Sequence, residues 1–279
     1  MAEINDYLTE LGFNRLESEV YVYLLTHEPA TAYKIGKQIT KPTANVYKAI
    51  ESLSKKGAVI IEDNKSKICK AVSPDEFFNH YEKSMLDKTE KAKIALIGLH
   101  KNSDDERSYS IESVDLVFEK FIAMMQKCQS IAVIDAFPKT LKKVSKIIEQ
   151  AAQRGIDVHI EAYEPIEING TNITCVEIGK KALDHWKSQQ LNLIIDGDEH
   201  LIALLDDNIE NVIQALWSNN NYMSCMLHAG FLREQTIFKI TDQLNKPNFE
   251  EKVKEILDQQ KFFFNSNIPG FNKLFNRKK

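Results

Sequence analysis

Apolar positions over the first seventy residues recur at helical spacing in short blocks separated by polar turns. Asn5 to Leu11 suits a short helix, and Leu16, Val20, Tyr23 and Leu24 fall on one face of a second. Asn14 and Glu17 stand at capping-box spacing before that second helix, and Pro29 ends it because proline cannot continue a helix. Thr31 is placed to cap a third helix that turns Ala32, Ile35 and Ile39 inward. Pro42-Thr43 opens a fourth, with Val46, Ile50 and Leu53 as its buried stripe and Gly57 at its end. The period then changes: Ala58–Ile61 and Ile68–Val72 flank a polar turn, Glu62 to Lys67, and predict a β-hairpin. Helix, short turn over Thr40 and Lys41, helix and hairpin is the plan of a winged helix-turn-helix.

Ser73-Pro74-Asp75-Glu76 starts a further helix, with acids where the helix dipole favours them. In it Phe78, Tyr81, Met85, Lys88, Ala92, Ala95 and Leu99 recur at alternating steps of three and four, the spacing of a coiled coil. The expectation is a dimer seam of Phe78, Tyr81, Met85, Ala92, Ala95 and Leu99; the alternative is a helix lying on its own domain. After the polar run 101–108, strand-like runs at Ser130–Phe137, Ile156–Tyr163, Ile173–Ile178, Leu191–Ile195, Leu201–Leu205 and Val212–Trp217 alternate with helical ones at 138–154 and 223–243. That alternation predicts an α/β sheet. The expected organisation is a winged helix-turn-helix at 1–73, a coiled-coil helix at 74–100, a linker at 101–108, an α/β domain at 109–245, and a tail at 246–279 to which no element is assigned.

Length suits two domains or one large one and the composition is that of an ordinary globular protein, with no apolar run long enough to span a membrane and no basic, apolar leader at Met1, so a cytoplasmic protein is expected. Cys69, Cys128, Cys175 and Cys225 lie far apart and read as small buried hydrophobes. The histidines form no ligand cluster, so neither a metal nor a cofactor is expected. The net charge of -4 hides a local excess: residues 31–70 hold nine lysines against three acids. Such a patch attracts phosphate. On the fourth helix Thr43, Ala44 and Asn45 occupy the first turn, where Asn45 could pair with adenine and Ala44 touch a thymine methyl. Tyr47 lies on the shoulder, while Lys48, Lys55 and Lys56, with Lys65 and Lys67 at the hairpin tip, are placed for phosphates. Glu51 on the same side opposes them.

The stretch LGFNRLESEVYVYLLTHEPATAYKIGKQITKPTANVYKAIESLSKKGAVI, Leu11 to Ile60, resembles the N-terminal domain of the TrmB family of regulators, with its leucine-glycine opening, E-x-x-V-Y, PATAYEIA-like and VYxxLxxLxxKG segments. LNLIIDGDEHLIALL and ALWSNNNY in the second half look similar to that family's phospholipase D-like domain. The resemblance implies a regulator of double-stranded DNA whose second domain senses a sugar or another small molecule; the heptad seam adds the expectation of a homodimer, and its two-fold symmetry that of a palindromic operator. Trp217, Ser218 and Asn219, and secondarily His185 and Trp186, are the residues suited to such a ligand. Phospholipase D-like catalysis needs His-x-Lys-x4-Asp. Alignment on Asp196 puts Gln189 and Leu191 at the first two places; alignment on His185 and Lys187 puts Asn192 at the third; and His159-Ile160-Glu161 carries the wrong charge. A non-enzyme is therefore expected. The alternatives are a phospholipase D-like hydrolase or nuclease and an architectural DNA binder without an effector.

Overall fold

A computed structural model describes residues 2–62, 67–97, 99, 106–176, 181, 183 and 185–276. The chain divides into two units, Met1–Asn102 and Ser103–Lys279.

The first unit contains α1 (Ala2–Glu10), α2 (Arg15–Thr26), α3 (Ala32–Gln38), α4 (Thr43–Lys55), β1 (Val59–Ile61), β2 (Cys69–Ala71) and α5 (Pro74–Ile97). The local start signals act as their chemistry requires. Asn14 and Glu17 close a reciprocal capping box on α2, and Thr31 accepts the Lys34 N–H at the start of α3. Gly57, at φ +80°, ends α4 in the left-handed region open to glycine. The buried side of α2 differs from expectation: Tyr21 lies inside, its hydroxyl donating to the Val72 carbonyl, while Leu16 and Tyr23 are only half-buried. The wing, β1 against β2, is antiparallel with Ile60 opposite Lys70. Phe77 locks the start of α5 into the core by ring contacts with Phe13 and Tyr21.

The second unit holds β3 (Ser108–Ser110), α6 (Val114–Lys127), β4 (Ile131–Ala136), α7 (Pro138–Gln153), β5 (Asp157–Ala162), β6 (Asn172–Cys175), β7 (Ser188–Ile195), β8 (Glu199–Asp206), β9 (Val212–Ser218), α8 (Asn221–Asp242), α9 (Phe249–Gln259) and α10 (Pro269–Phe275). Of the expected linker, 101–105 lie outside the described residues and Ser108 already belongs to β3. The sheet runs β3-β9-β8-β7-β4-β5-β6, parallel from β4 through β6 and antiparallel elsewhere. Strand alternation sends Ala132, Ile134, Ile160, Leu191, Leu193 and Leu201 to one face, under α6 and α7. Ile131, Val133 and Ile194 go to the other, under α8. The tail is part of this unit. Phe263, Ile268 and Phe271 bury themselves against that second face, along with Cys225 and Leu232 of α8.

Asp196 and Gly197, at φ +54° and +59°, make the tight turn between β7 and β8, and α10 docks on it. The Gly270 N–H donates to the Asp196 carbonyl at 2.8 Å, and Asn221 Nδ2 donates to the Gly270 carbonyl at 2.9 Å. A Cβ on Gly270 would stand 2.1 Å from the Gly197 carbonyl oxygen, a backbone atom that cannot swing aside. Gly270→Ala is therefore expected to undock α10 at a cost of about 1–3 kcal/mol, as overpacking does. Limited proteolysis of the tail and a lowered Tm check this; unchanged protection would mean that α10 does not hold the turn. Cys69, Cys128 and Cys225 are buried as expected, but Cys175, at the end of the edge strand β6, is exposed. Among the described residues no helix is long and apolar enough to cross a membrane.

Candidate functional site

In the first unit α4 is the exposed helix of the helix-turn-helix. Val46, Ala49, Ile50 and Leu53 are buried, so helical geometry leaves Ala44, Asn45, Tyr47 and Lys48 outside, with Thr43 half-buried at the start. Gly36 lets α3 and the turn approach closely, since a Cβ there would meet the Lys41 carbonyl oxygen at 3.0 Å and Val46 at 3.4 Å. Tyr33, Lys34 and Lys37 of α3 are exposed and add to the basic surface. They were not singled out from the sequence, although the local lysine excess includes two of them. Lys55 is exposed but pairs with Glu51 one turn back, at 2.8 Å, a contact that water and DNA can easily exchange.

Lys56 departs from expectation. Its ammonium donates to Glu17 Oε2 at 2.6 Å and to the Gly12 carbonyl at 2.8 Å, and lies 4.5 Å from the centre of the Phe13 ring. Burial alone would raise the Glu17 carboxyl; hydrogen bonds from Lys56, Ser52 and the Asn14 backbone outweigh it and hold the group below its ordinary range. Lys56 therefore ties α4 to α2 and is not a free cation for phosphate. Lys65 lies outside the described residues, and Lys67 is exposed beside β2.

The dimer-seam candidates also separate. Phe78, Met85, Ala92, Ala95 and Leu99 are exposed within the unit. Tyr81 instead packs, half-buried, against the domain core, its ring tilted against Phe13 and Phe77 and its hydroxyl donating to the Leu11 carbonyl at 2.7 Å. Phe78, Tyr81 and Met85 line a groove of about 830 Å³ with Leu11 and Leu86.

In the second unit the five ligand candidates do not converge. Trp186 is exposed and lines a cavity of about 220 Å³ with Gln190, Asn192, Ile202, Leu204 and Gln214, on the face that α8 covers only in part. His185 is exposed, and its Nδ1 lies 2.8 Å from the Lys181 carbonyl oxygen. Trp217 points to the opposite face because it is paired with Leu201 of the α6–α7 side. It stacks on Tyr109, lies under Lys120, and donates its indole N–H to Glu199 at 2.6 Å. Ser218 is fully buried and accepts the Asn220 N–H while donating to the Arg107 carbonyl; Asn219 follows it at the same end of the sheet. Ser218 thus braces the β9–α8 corner, and none of the three lines the Trp186 cavity.

Beside that cavity lies a polar cluster that sequence reasoning missed. Gln190 Nε2 donates to Asp135 Oδ1 at 2.7 Å and Asn192 Nδ2 donates to Asp135 Oδ2 at 3.0 Å. The Tyr163 hydroxyl donates to Glu161 Oε1 at 3.2 Å. Burial raises Asp135 to about 6, against the hydrogen bonds it accepts, and burial together with the charges of Asp135 and Glu234 raises Glu161 to about 8. The residues aligned with the phospholipase D-like motif are used otherwise. Gln189 is buried, accepting the Lys139 N–H and donating to Asp207; Leu191 is inside the core; and the Asp196 carboxylate binds backbone N–H groups of Gln129, Ser130 and Ile131.

A winged helix-turn-helix followed by a mixed α/β sheet unit is the architecture of a two-part DNA-binding regulator. Residues 8–75, within the first unit, match the model of the family described as sugar-specific transcriptional regulator TrmB. The α/β unit lies beyond that match. The chain is 22% identical over 255 residues to the uncharacterized protein YrhO of Bacillus subtilis (strain 168), covering 91% of this chain and 89% of that one. Among solved structures it is similar to TrmBL2, an archaeal chromatin protein, at 18% identity and a TM-score of 0.41, over 84% of this chain and 97% of the other. NucT from Helicobacter pylori is similar at 12% identity and a TM-score of 0.37, over 46% of this chain and 94% of that one.

Proposed function

We propose that this protein is a homodimeric, sequence-specific transcription regulator that binds double-stranded DNA through α4 and senses a small molecule with its α/β unit. The observation that carries the reading is the exposed start of α4, with Ala44, Asn45 and Lys48 outward, inside a domain that matches a family of transcriptional regulators. A helix so presented can enter the major groove while α2 and α3 hold it from behind. The exposed seam of α5 supports dimerisation, and a two-fold axis then requires a near-palindromic operator with half-sites spaced by about 34–36 Å or a multiple. The buried placement of Gln189 and Leu191 supports a non-catalytic role for the second unit, since neither offers a nucleophile or a cation to a phosphodiester. The ligand site belongs at the Trp186 cavity and not at Trp217.

Competition binding tests the reading. Asn45→Ala is expected to reduce discrimination among operator variants by about 1–3 kcal/mol, the worth of a bidentate base contact. Lys48→Ala is expected to weaken all sequences alike and to lower the salt slope by about one. Equal loss by Asn45→Ala on specific and random DNA would remove Asn45 from base readout. Sequence-independent affinity of the parent protein with a steep salt slope would make it an architectural binder.

A further inference from the structure

The β6 edge of the sheet forms one side of a cavity of about 400 Å³, whose other walls are the C-terminal part of α8 and α9. It shares no lining residue with the Trp186 cavity. Its apolar wall is Phe238 and Ile256, both half-buried. Most of the charge around it is already paired: Lys252 meets Glu255 at 2.8 Å, and Asp242 meets Lys246 at 2.7 Å. A space of this size, with an apolar wall and a few polar groups, has the character of a small-molecule site.

Three polar features of the lining remain. The Thr174 hydroxyl has no hydrogen-bond partner, although the residue is only 5% exposed. A buried group left so is costly and calls for a cause. Lys239, half-buried on α8, makes no ion pair among the described residues. Burial lowers its ammonium from the ordinary lysine range, and the charge of Asp157 opposes that only in part. Asp157 is itself engaged: its Oδ2 lies 3.0 Å from His159 Nε2, and its Oδ1 accepts from Asn172 at 2.9 Å. The third feature is main-chain. Val176 donates its N–H to the Ala162 carbonyl of β5, so strand alternation turns the Ile173 and Cys175 N–H groups away from β5, toward the edge that lines the cavity. All three features can donate a hydrogen bond, and one carries a positive charge, so together they suit an anion. A single uncompensated lysine matches one negative charge and not two.

We propose that the cavity between β6, α8 and α9 is a binding site for a small organic carboxylate, which takes its hydrogen bonds from Lys239 and the Thr174 hydroxyl and lays its hydrocarbon part on Phe238 and Ile256. The bound chain covers apolar surface that the fold leaves half-open. The site goes beyond the effector reading of the Trp186 cavity, and neither depends on the other.

Calorimetric titration of the full chain with hexanoate and phenylacetate decides, with 1-hexanol, hexylamine and inorganic phosphate as controls. At least one carboxylate is expected to saturate a single site per chain, and none of the controls to do so. Lys239→Met removes the charge but keeps the length of the side chain, and should weaken that carboxylate about tenfold or more. Thr174→Val removes a hydroxyl that has no partner within the fold. It should weaken binding about fivefold while Tm stays level or rises. Far-ultraviolet circular dichroism checks that each variant is folded, and if one is not, the other decides. No saturable carboxylate binding would overturn the site. So would equal binding by hexanol, which would mean an apolar cleft, or by phosphate, which would mean charge alone. Equal binding by hexylamine would reverse the sign assigned to the site and overturn it as well. Parental affinity in a folded variant would remove that side chain's hydrogen bond, and with it the placement of the carboxylate.

Discussion

Asp196→Ala is expected to unfold the α/β unit at ambient temperature or leave it only marginally stable. The carboxylate is 5% exposed and gathers the start of β4: Oδ1 accepts from the Ser130 and Ile131 N–H groups and the Ser130 hydroxyl, and Oδ2 accepts from the Gln129 N–H, all at 2.8–3.1 Å. Alanine leaves three backbone donors facing a void, and each stranded donor costs about 1–3 kcal/mol. Their sum is comparable with the whole stability of a domain, about 5–15 kcal/mol. The position itself adds to the cost, because φ +54° is strained for alanine and tolerated by asparagine. Asp196→Asn keeps one acceptor and the backbone preference, so it should lose about half as much. Both tryptophans, Trp186 and Trp217, lie in this unit, so urea denaturation followed by their fluorescence reports on it alone. A midpoint within error of the parent's would mean that the three N–H groups are satisfied without the carboxylate. The aspartate at the end of the phospholipase D-like pattern thus has a structural task here, independent of any chemistry.

Phe78→Glu with Met85→Glu should convert the protein to monomers and lower operator affinity by about 10²–10⁴-fold, the gain that linking two half-site binders brings. Phe78 and Met85 are 38% and 43% exposed and lie a heptad apart on α5, outside the buried core of the unit. In a two-fold seam the same change sets four carboxylates in a dry interface, which is strongly unfavourable. Tyr81 is left intact on purpose: its hydroxyl and ring pack against the domain core, and replacing it would confuse unfolding with dissociation. Sedimentation velocity decides. Persistent dimers would place the interface elsewhere, and monomers with full operator affinity would detach dimerisation from binding.

Much of the fold was legible because its causes are local. The Asn14–Glu17 capping box, Thr31 before α3 and Gly57 after α4 each act over two or three residues, and the structure uses all of them as expected. The outward set on α4 followed from helical period alone. The stripe Val117, Phe121, Met124 and Met125 of α6 carried the same kind of signal and could have been found. The tail could not be assigned from its pattern, because its buried residues, Phe263, Ile268 and Phe271, answer to a sheet face and not to a period of their own.

What the sequence by itself determined was therefore the winged helix-turn-helix, the amphipathic faces of its helices, the basic surface and the existence of an α/β sheet. Tertiary structure alone decided which polar residues are free. Lys56 has the same chemistry as Lys48, but Glu17, 39 residues away, claims its charge. Trp217 and Trp186 are equally suitable aromatics, but pairing parity sends one to the α6–α7 face and leaves the other at a cavity. Asp135, Glu161, Thr174 and Asn192 carry no common motif; strand order and register bring them into one row. Helical period and capping are set within a few residues, whereas burial, pairing and the balance of charge depend on partners that only the packed chain brings together.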